Sequence, residues 1–333
     1  MENSFKKVLV CVEDINLDAH VIAYTHMIAK TVGLKSVYLL HVIHDTPYER
    51  ELTRNSEVEG MTTLDLDQKY HDEIQRLTTG YTRAMADAAR EHFGDLKGIE
   101  QHVDVRVGSQ LKDTLMVAHD EDIDLIVMGR HLGARLERGD VALLPRRVAR
   151  KSTCAVLVIP EDFTPRLTNI LCPVRLSRCS TLALQTAIDL GIAFDARIHA
   201  VNLFHVFNEI HYPGGAPDPV MPMEEKLKIA RSLAERENNA LRKQVNAQNA
   251  KIEFDCRPDL DFRPADTFET MAEQLACDLV IIGARGRTGA AGVLLGTITE
   301  QLIRQCKVPL LATKKKGEHI GVLRAMLALF GKD

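Results

Sequence analysis

Residues 278–300 of the chain are DLVIIGARGRTGAAGVLLGTITE. This stretch opens with an apolar run, Leu279 to Ile282, which is typical of a strand buried on both faces of a parallel sheet. A glycine-rich segment begins at Gly283, and apolar residues then recur at helical spacing over 294–306. Strand, glycine loop and helix in this order predict an anion site, because glycines let backbone N–H groups converge and a helix N-terminus carries partial positive charge.

Phosphate is the anion that suits this loop best. Arg285 and Arg287 add positive charge within it, and Gly296-Thr297 begins the following helix. The Gly-Lys-Ser/Thr end of a P-loop is absent, so the loop is of another kind. The alternative interpretation is a mobile surface loop, with glycines for flexibility and arginines for solubility.

The chain contains this series of elements twice. Asp278 to Gly283 mirrors Asp124 to Gly129, and the strand over 170–174 repeats the strand over 8–12. A period of about 155 residues indicates a duplicated domain rather than a solenoid. Apolar strands that alternate with helices predict a parallel sheet covered on both faces. The predicted domains are 1–160 and 166–313, followed by a basic and apolar tail over 314–333.

The periodicity also predicts where the elements lie. Helices are predicted over 17–31, 69–91, 109–119, 141–151, 224–249 and 294–306, with a long loop over 44–68. Strands are predicted over 8–12, 36–43, 103–107, 125–128, 155–159, 170–174, 199–207, 251–256, 279–282 and 308–313.

Composition limits the classes of function. The chain has 333 residues, of which 45% are apolar, ample for two packed cores. A net charge of -4, with 5% aromatic residues and no Trp, argues against a nucleic-acid partner. Seven scattered cysteines without a CxxC pair are typical of reduced core thiols. With no signal peptide and no apolar run of membrane-spanning length, the sequence predicts a cytoplasmic protein.

The spacing Gly283, two residues, Gly286, nine residues, Gly296-Thr297 resembles the nucleotide-binding signature Gly-x2-Gly-x9-Gly-Ser/Thr of the universal stress protein family. The internal repeat extends this resemblance over nearly the whole chain, as two domains in tandem. The resemblance implies an open, parallel, five-stranded α/β sheet of order 3-2-1-4-5 in each domain, with ligands at the switch point between the first and fourth strands. It also implies ATP or a related adenine nucleotide, with its phosphates on this loop.

Carried over residue by residue, the resemblance assigns the nucleotide site to Pro173, Arg175, Leu203, Gly283, Arg285, Gly286, Arg287, Gly296 and Thr297. Pro173 fits the family's proline, and Leu203 takes the place of an apolar residue that touches adenine. Arg175 departs from the family, which usually has an aspartate there in contact with the base or ribose. Its guanidinium is expected either to turn toward phosphate or to fill the adenine pocket.

The corresponding loop of the first copy lacks the signature. Leu132 and Ala142 stand where two of the glycines are expected, and Glu137 and Asp140 add negative charge. The first domain is therefore predicted to be a structural or regulatory domain without ATP, although Glu13 holds the aspartate-like position. The weaker alternative is an unrelated anion bound by three arginines: Arg130, Arg135 and Arg138.

No catalytic residue and no metal site are predicted. No general base or carboxylate pair lies near the loop, so fast ATP hydrolysis is not expected. Structural or exposed roles are favoured for the candidate histidines: His41, His44, His205 and His211. An aspartate cluster is more typical of a solvated turn than of Mg²⁺ held beside a nucleotide: Asp255, Asp259, Asp261 and Asp266.

The tail holds three lysines, 314–316, before an apolar segment over 320–330 that is too short to span a bilayer. Packing on its own domains or homodimerisation is the first interpretation, docking on a partner protein the second, and lying on a membrane surface the third. The predicted function is a stress-response regulatory protein whose nucleotide occupancy modulates contact with a partner. The alternatives are a slow ATPase or nucleotidyl-transfer enzyme, and a nucleotide-free adaptor whose pocket is closed by Arg175.

Overall fold

The computed structural model describes residues 5–44, 63–130, 143–161, 163–205, 221–260, 262–284 and 295–317. In these residues the strands are β1 Lys7–Cys11, β2 Ser36–His44, β3 Glu100–Gly108, β4 Leu125–Arg130, β5 Ala155–Pro160, β6 Asn169–Pro173, β7 Arg197–Phe204, β8 Lys251–Pro258, β9 Leu279–Gly283 and β10 Leu310–Thr313. The helices are α1 Ala19–Val32, α2 Thr63–Phe93, α3 Gln110–Asp120, α4 Leu143–Lys151, α5 Arg178–Phe194, α6 Met223–Arg242, α7 Pro264–Gln274 and α8 Thr297–Gln305.

The strands form one continuous ten-stranded sheet of order β3-β2-β1-β4-β5-β10-β9-β6-β7-β8. Within each half, neighbouring strands are parallel and follow the predicted order 3-2-1-4-5. The expectation of two separate sheets is wrong, because residues 310–312 of β10 pair antiparallel with residues 156–158 of β5. Each fifth strand would otherwise leave its buried backbone N–H and C=O groups unpaired at an apolar edge.

Helices cover both faces of this sheet, as predicted. Successive residues of a strand face opposite sides, so Val8 and Val10 belong to one apolar core and Leu9 to the other. The first core is closed by α1, α2, α5 and the end of α6, and the second by α3, α4, α7 and α8. Both cores run through the two halves. Because β5 and β10 are antiparallel, the carboxyl ends of the strands lie at opposite edges of the sheet in the two halves.

Three helix boundaries differ from the prediction. The helix α2 begins at Thr63, so the end of the predicted loop is helical. The helix α6 ends at Arg242 rather than at residue 249, and Asn249 has a left-handed backbone (φ 66°) just before β8. The helix α8 begins at Thr297, because the extended backbone of Gly296 (φ -77°, ψ 147°) ends the preceding loop.

An aspartate anchors the start of the switch-point strands in each half. In the second half, Asp278 accepts hydrogen bonds from the Thr168 amide (2.7 Å) and hydroxyl (2.6 Å), from the Asn169 amide (3.2 Å) and from Arg166. Burial alone would raise the pKa of Asp278, but these hydrogen bonds hold it below its ordinary value. They tie β6 to β9 at the amino ends of these two strands.

The corresponding aspartate of the first half, Asp124, also binds the basic segment after β10. It accepts from the amides of Lys6 and Lys7, both at 2.9 Å, and from Lys316 Nζ at 2.7 Å. Burial raises its pKa, but these donors together hold it below the ordinary value. Lys314 Nζ donates to the carbonyl of Ser152 at 2.8 Å.

These contacts support the interpretation that the basic segment packs on its own domains. The apolar segment over 320–330 lies outside the described residues. Within the described part of the chain, no helix is both long and apolar enough to cross a membrane.

The cysteines are free thiols, as predicted, and most are buried. Burial raises the pKa of Cys11 and of Cys154 to about 12, so both thiols stay protonated at neutral pH.

Candidate functional site at the switch point of the second half

The strands β6 and β9 flank the switch point of the second half, the position where open α/β sheets form a ligand crevice. Their parallel ladder covers two pairs, Ile170 with Leu279 and Leu171 with Val280. The ladder between β1 and β4 in the first half covers four. Pro173 at the end of β6 has no N–H to contribute to such a ladder. The strands therefore separate toward their carboxyl ends, where ligands bind in open α/β sheets.

The two ends of the glycine loop are held together beside this crevice. The Gly296 amide donates to the Ala284 carbonyl at 2.7 Å, and Thr299 Oγ1 donates to the Gly283 carbonyl at 3.0 Å. These bonds bring the N-terminus of α8 to the end of β9, and Thr297, the first residue of the helix, is exposed there. Three predicted site residues lie outside the described residues: Arg285, Gly286 and Arg287.

Close packing against α5 requires glycine at position 283. A Cβ at this position would lie 2.8 Å from the Cβ of Cys179 and 2.9 Å from its backbone carbonyl carbon. Both belong to the first turn of α5. Ser177, the N-cap residue before this helix, accepts a hydrogen bond from the Ser180 amide through its Oγ and fixes the start of the helix. The sequence suggested close approach of a ligand, whereas the nearest described atoms are those of α5.

Arg175 lies across the carboxyl ends of β6 and β7. Its Nη1 donates to the Leu203 carbonyl at 3.0 Å, and its Nε lies 3.2 Å from a carboxylate oxygen of Glu237 on α6. Its backbone amide donates to Ser180 Oγ at 3.2 Å. These contacts place the Arg175 guanidinium at the ends of β6 and β7, beside Leu203.

A polar network behind Arg175 was missed by the sequence analysis. Asn202 Nδ2 donates to the same oxygen of Glu237 at 3.2 Å, and Asn238 Nδ2 donates to the Asp255 carbonyl at 3.2 Å. Asn202 and Asn238 are both buried. The available signal was Asn238 itself, a polar residue on the buried face of α6 that it shares with Ala234.

The structure thus divides the predicted site residues into two groups. Arg175 and Leu203 lie together at the ends of β6 and β7, next to Pro173, which is buried. Gly283, Gly296 and Thr297 belong to β9 and α8. With β6 between them, the strands β9 and β7 are about 10 Å apart, twice the usual spacing of neighbouring strands.

Arg130 is not an anion-binding residue, so the alternative of an anion held by three arginines is wrong for it. Arg130 is only 4% exposed, and it donates to the carbonyls of Ile303 (3.0 Å) and Cys306 at the C-terminal end of α8. The last carbonyls of a helix lack intrahelical partners and carry partial negative charge. Arg130 therefore joins the two halves. The other members of the set, Arg135 and Arg138, lie outside the described residues.

The histidines and aspartates weighed as metal ligands have other contacts. The His41 ring stacks on Tyr81 at 3.8 Å, and its Nδ1 lies 2.9 Å from the Val12 carbonyl. Burial lowers the pKa of His41. Three further candidates have contacts of their own: His205 lies against the Phe262 ring, Asp255 pairs with Arg257, and Asp266 accepts from Gln305. His44 is exposed and Asp259 is buried, while His211 and Asp261 lie outside the described residues. Among the described residues, no three potential metal ligands lie together.

Comparison with known proteins identifies relatives of both halves. Residues 4–160 and 167–314 each match the sequence profile of the universal stress protein family. A universal stress protein of Methanocaldococcus jannaschii is 27% identical over 151 residues, which are 44% of this chain and 82% of the relative. One from Mycobacterium tuberculosis is 23% identical over 204 residues, 60% of this chain and 65% of the relative.

Two crystal structures share the fold over nearly the whole chain. A universal stress protein from Archaeoglobus fulgidus has a TM-score of 0.59 at 15% identity, covering 95% of this chain and 98% of its own. A protein of unknown function from Pseudomonas aeruginosa PAO1 has a TM-score of 0.59 at 16% identity, covering 99% of both chains.

Proposed function

The chain belongs to the universal stress protein family, and we propose that its second half binds an adenine nucleotide such as ATP by its phosphate groups. The observation that carries this proposal is the joining of the two ends of the loop by the Gly296–Ala284 and Thr299–Gly283 hydrogen bonds. They bring the partial positive charge of the α8 N-terminus to the crevice between β6 and β9. Arg285, Gly286 and Arg287 then complete the phosphate site, and Mg²⁺ arrives with the nucleotide.

In this proposal, a partner protein binds the chain differently according to whether the second half holds a nucleotide. A phosphate bound at Thr297 adds negative charge at the N-terminus of α8 and so changes the surface that a partner meets. The cytoplasmic location and the homodimer predicted from the sequence belong to the same proposal.

The position of Arg175 supports a second candidate function, that of a nucleotide-free adaptor. A nucleotide base at the end of β7 would need the Leu203 carbonyl as its hydrogen-bond acceptor. The Arg175 guanidinium occupies this carbonyl as a donor. The ion pair with Glu237 opposes withdrawal of the guanidinium. In this candidate the long loops and the tail bind a partner protein directly, without a nucleotide signal.

Measuring the unfolding temperature with and without Mg-ATP separates the two functions. A nucleotide at 100 times its Kd stabilises the folded state by about 2.7 kcal/mol. We expect this stabilisation for the wild-type chain and its loss in Thr297→Ala, which removes the exposed hydroxyl at the start of α8. Thr267→Ala, in the first turn of α7, is the matched control and is expected to keep the response.

Arg175→Asp decides between the candidates. If only this variant gains stability from Mg-ATP, the wild-type guanidinium closes the pocket and the adaptor function stands. If neither chain responds, the nucleotide proposal is wrong. Gly283→Val is unsuitable as a binding test, because its side chain would meet the backbone of Cys179 whether or not a nucleotide binds.

A further inference from the structure

An arginine of the first half covers a carboxylate on the helix that begins at the proposed phosphate site. Glu300 lies in the first turn of α8, and Arg150 lies in the last turn of α4. Nη2 of Arg150 donates to both carboxylate oxygens of Glu300, at 2.7 Å each. Nε of Arg146, one turn earlier on α4, lies 3.4 Å from one of these oxygens. These ion pairs therefore cross the junction between the two halves.

Glu300 stands close to the place where the phosphate is proposed to bind. Thr297 begins α8, and residues three apart on a helix lie on the same surface, with their Cβ atoms about 5–6 Å apart. Thr297 is exposed and the Glu300 side chain is 25% exposed, whereas Thr299 between them is buried. Without a cation beside it, the Glu300 carboxylate would repel the anion that the N-terminus of α8 attracts.

This carboxylate belongs to the second half alone. The buried pair Leu302-Ile303 of α8 is equivalent in the repeat to the buried pair Val148-Ala149 of α4. Glu300 stands two residues before the first pair, and Arg146 stands two residues before the second. The half that carries the glycine signature is thus the half with an acid at this position, and the other half supplies the cations that neutralise it.

The first half also holds the opposite end of α8. Arg130 donates to the carbonyls of Ile303 and Cys306 at the C-terminal end of this helix. Arg130 and Arg150 therefore contact the two ends of a nine-residue helix, one through its last carbonyls and the other through Glu300 in its first turn. The position of α8, and with it the position of its free N-terminal amides, is set from the first half.

We propose that Arg150 is a positioning residue for the phosphate site of the second half, and that it sets the affinity of this site for anionic phosphate groups. By neutralising Glu300, it lets the N-terminus of α8 present positive charge to the ligand. The inference rests on the nucleotide site proposed above. It gives the first half, which lacks the glycine signature, a role in binding at the second.

The test measures the affinity of the full-length chain for Mg-ATP by isothermal titration calorimetry. In low salt, we expect Arg150→Ala to weaken binding roughly fivefold to tenfold, because the Glu300 charge is then exposed to the phosphates. Adding Glu300→Gln to this variant removes that charge and should restore the affinity to within about twofold of the wild type. Arg150 is half-exposed, so its replacement leaves the apolar core unchanged.

Salt and a matched variant separate this electrostatic effect from a general loss of structure. In about 1 M salt, where the screening length is about 3 Å, the difference between Arg150→Ala and the wild type should shrink to less than about twofold. Arg90→Ala removes an exposed arginine that pairs with Asp87 on α2 at 2.7 Å, and it is expected to bind Mg-ATP as the wild type does.

Three results would overturn this inference and leave the nucleotide site itself standing. They are equal affinity of Arg150→Ala and the wild type, a loss that high salt does not reduce, and a double variant that stays as weak as Arg150→Ala. The last result would mean that the Arg150 guanidinium binds the phosphate directly. Absence of Mg-ATP binding to the wild type would instead show that the proposed function is wrong, and this inference would fail with it.

Discussion

The two switch points of this chain have the same strand order and differ in the side chains at the carboxyl ends of their strands. In the first half, Glu13 and Thr114 are among the residues that line a partly open cleft at the ends of β1, β2 and β4. In the second, Arg175 donates to the Leu203 carbonyl, and the buried Phe268, the fifth residue of α7, stands where Thr114 is the fifth residue of α3. The strands of the second half also separate earlier, with two paired positions against four. The two switch points therefore differ at a few positions of a common fold.

Replacing Phe268 with Thr should cause the largest loss of stability, because it removes a buried ring that the first half lacks at the equivalent position. Phe268 is 4% exposed, and removing a buried ring of this size costs about 3–5 kcal/mol. We expect a loss near the lower end of this range, measured by urea unfolding. A loss below about 1 kcal/mol would show that the ring is not closely packed in the core.

The two anchoring aspartates provide the next comparison. Asp278→Ala leaves the Thr168 and Asn169 amides without their acceptor, and we expect a loss of about 3 kcal/mol. Asp124→Ala should cost less, about 2 kcal/mol, because the Asp124 side chain is 17% exposed against 1% for Asp278. Urea unfolding of both variants measures the two losses and shows which is larger. The reverse order would show that burial does not set the difference between the two aspartates.

Gly283→Ala isolates the close packing of α5 on β9. The added Cβ meets Cys179 backbone atoms at 2.9 Å, and backbone cannot move aside as a flexible side chain can. We expect a loss of about 2 kcal/mol in the free energy of unfolding, within the usual range for overpacking. Gly80→Ala is the control, since a Cβ there has no neighbour within 4 Å. Loss of stability in the control alone would mean that contact with α5 is not what requires glycine at position 283.

The smallest expected effect is on the acid sensitivity of the fold. The folded-state pKa values of Asp124 and Asp278 lie below their ordinary value of 3.8. Their stabilising contribution is therefore fully present above about pH 4 and is lost as the pH falls through the folded-state values. The unfolding temperature should drop below that pH, and Asp278→Asn should weaken the drop. An unchanged acid profile in this variant would assign the sensitivity to other groups.

The sequence predicted the strands well, because fully apolar runs such as Leu279 to Ile282 carry a strong local signal. Their order within each half was implied by the family resemblance. The sequence also placed Gly296 at the start of a helix. The single sheet was not foreseen, since nothing local to β5 or β10 indicates which edge each strand will pair with. The end of α6 at Arg242 was missed because the polar residues after it still fit a helical pattern.

Site details were the least predictable. The alternative that Arg175 fills the pocket was identified, but Glu237 and Asn202, which surround it, come from distant parts of the chain. An anion was the weaker alternative for Arg130 and rested on its charge alone, whereas the structure buries Arg130 against the end of α8.

The antiparallel junction of β5 and β10 has a consequence for how the halves associate. Joining them in one chain gives the junction an effective concentration that does not fall on dilution, so the pairing is retained where separate subunits would dissociate. A symmetric pair of identical subunits must also present two identical sites. A covalently linked pair has no such requirement, and each half is free to acquire its own ligand at a constant one-to-one stoichiometry.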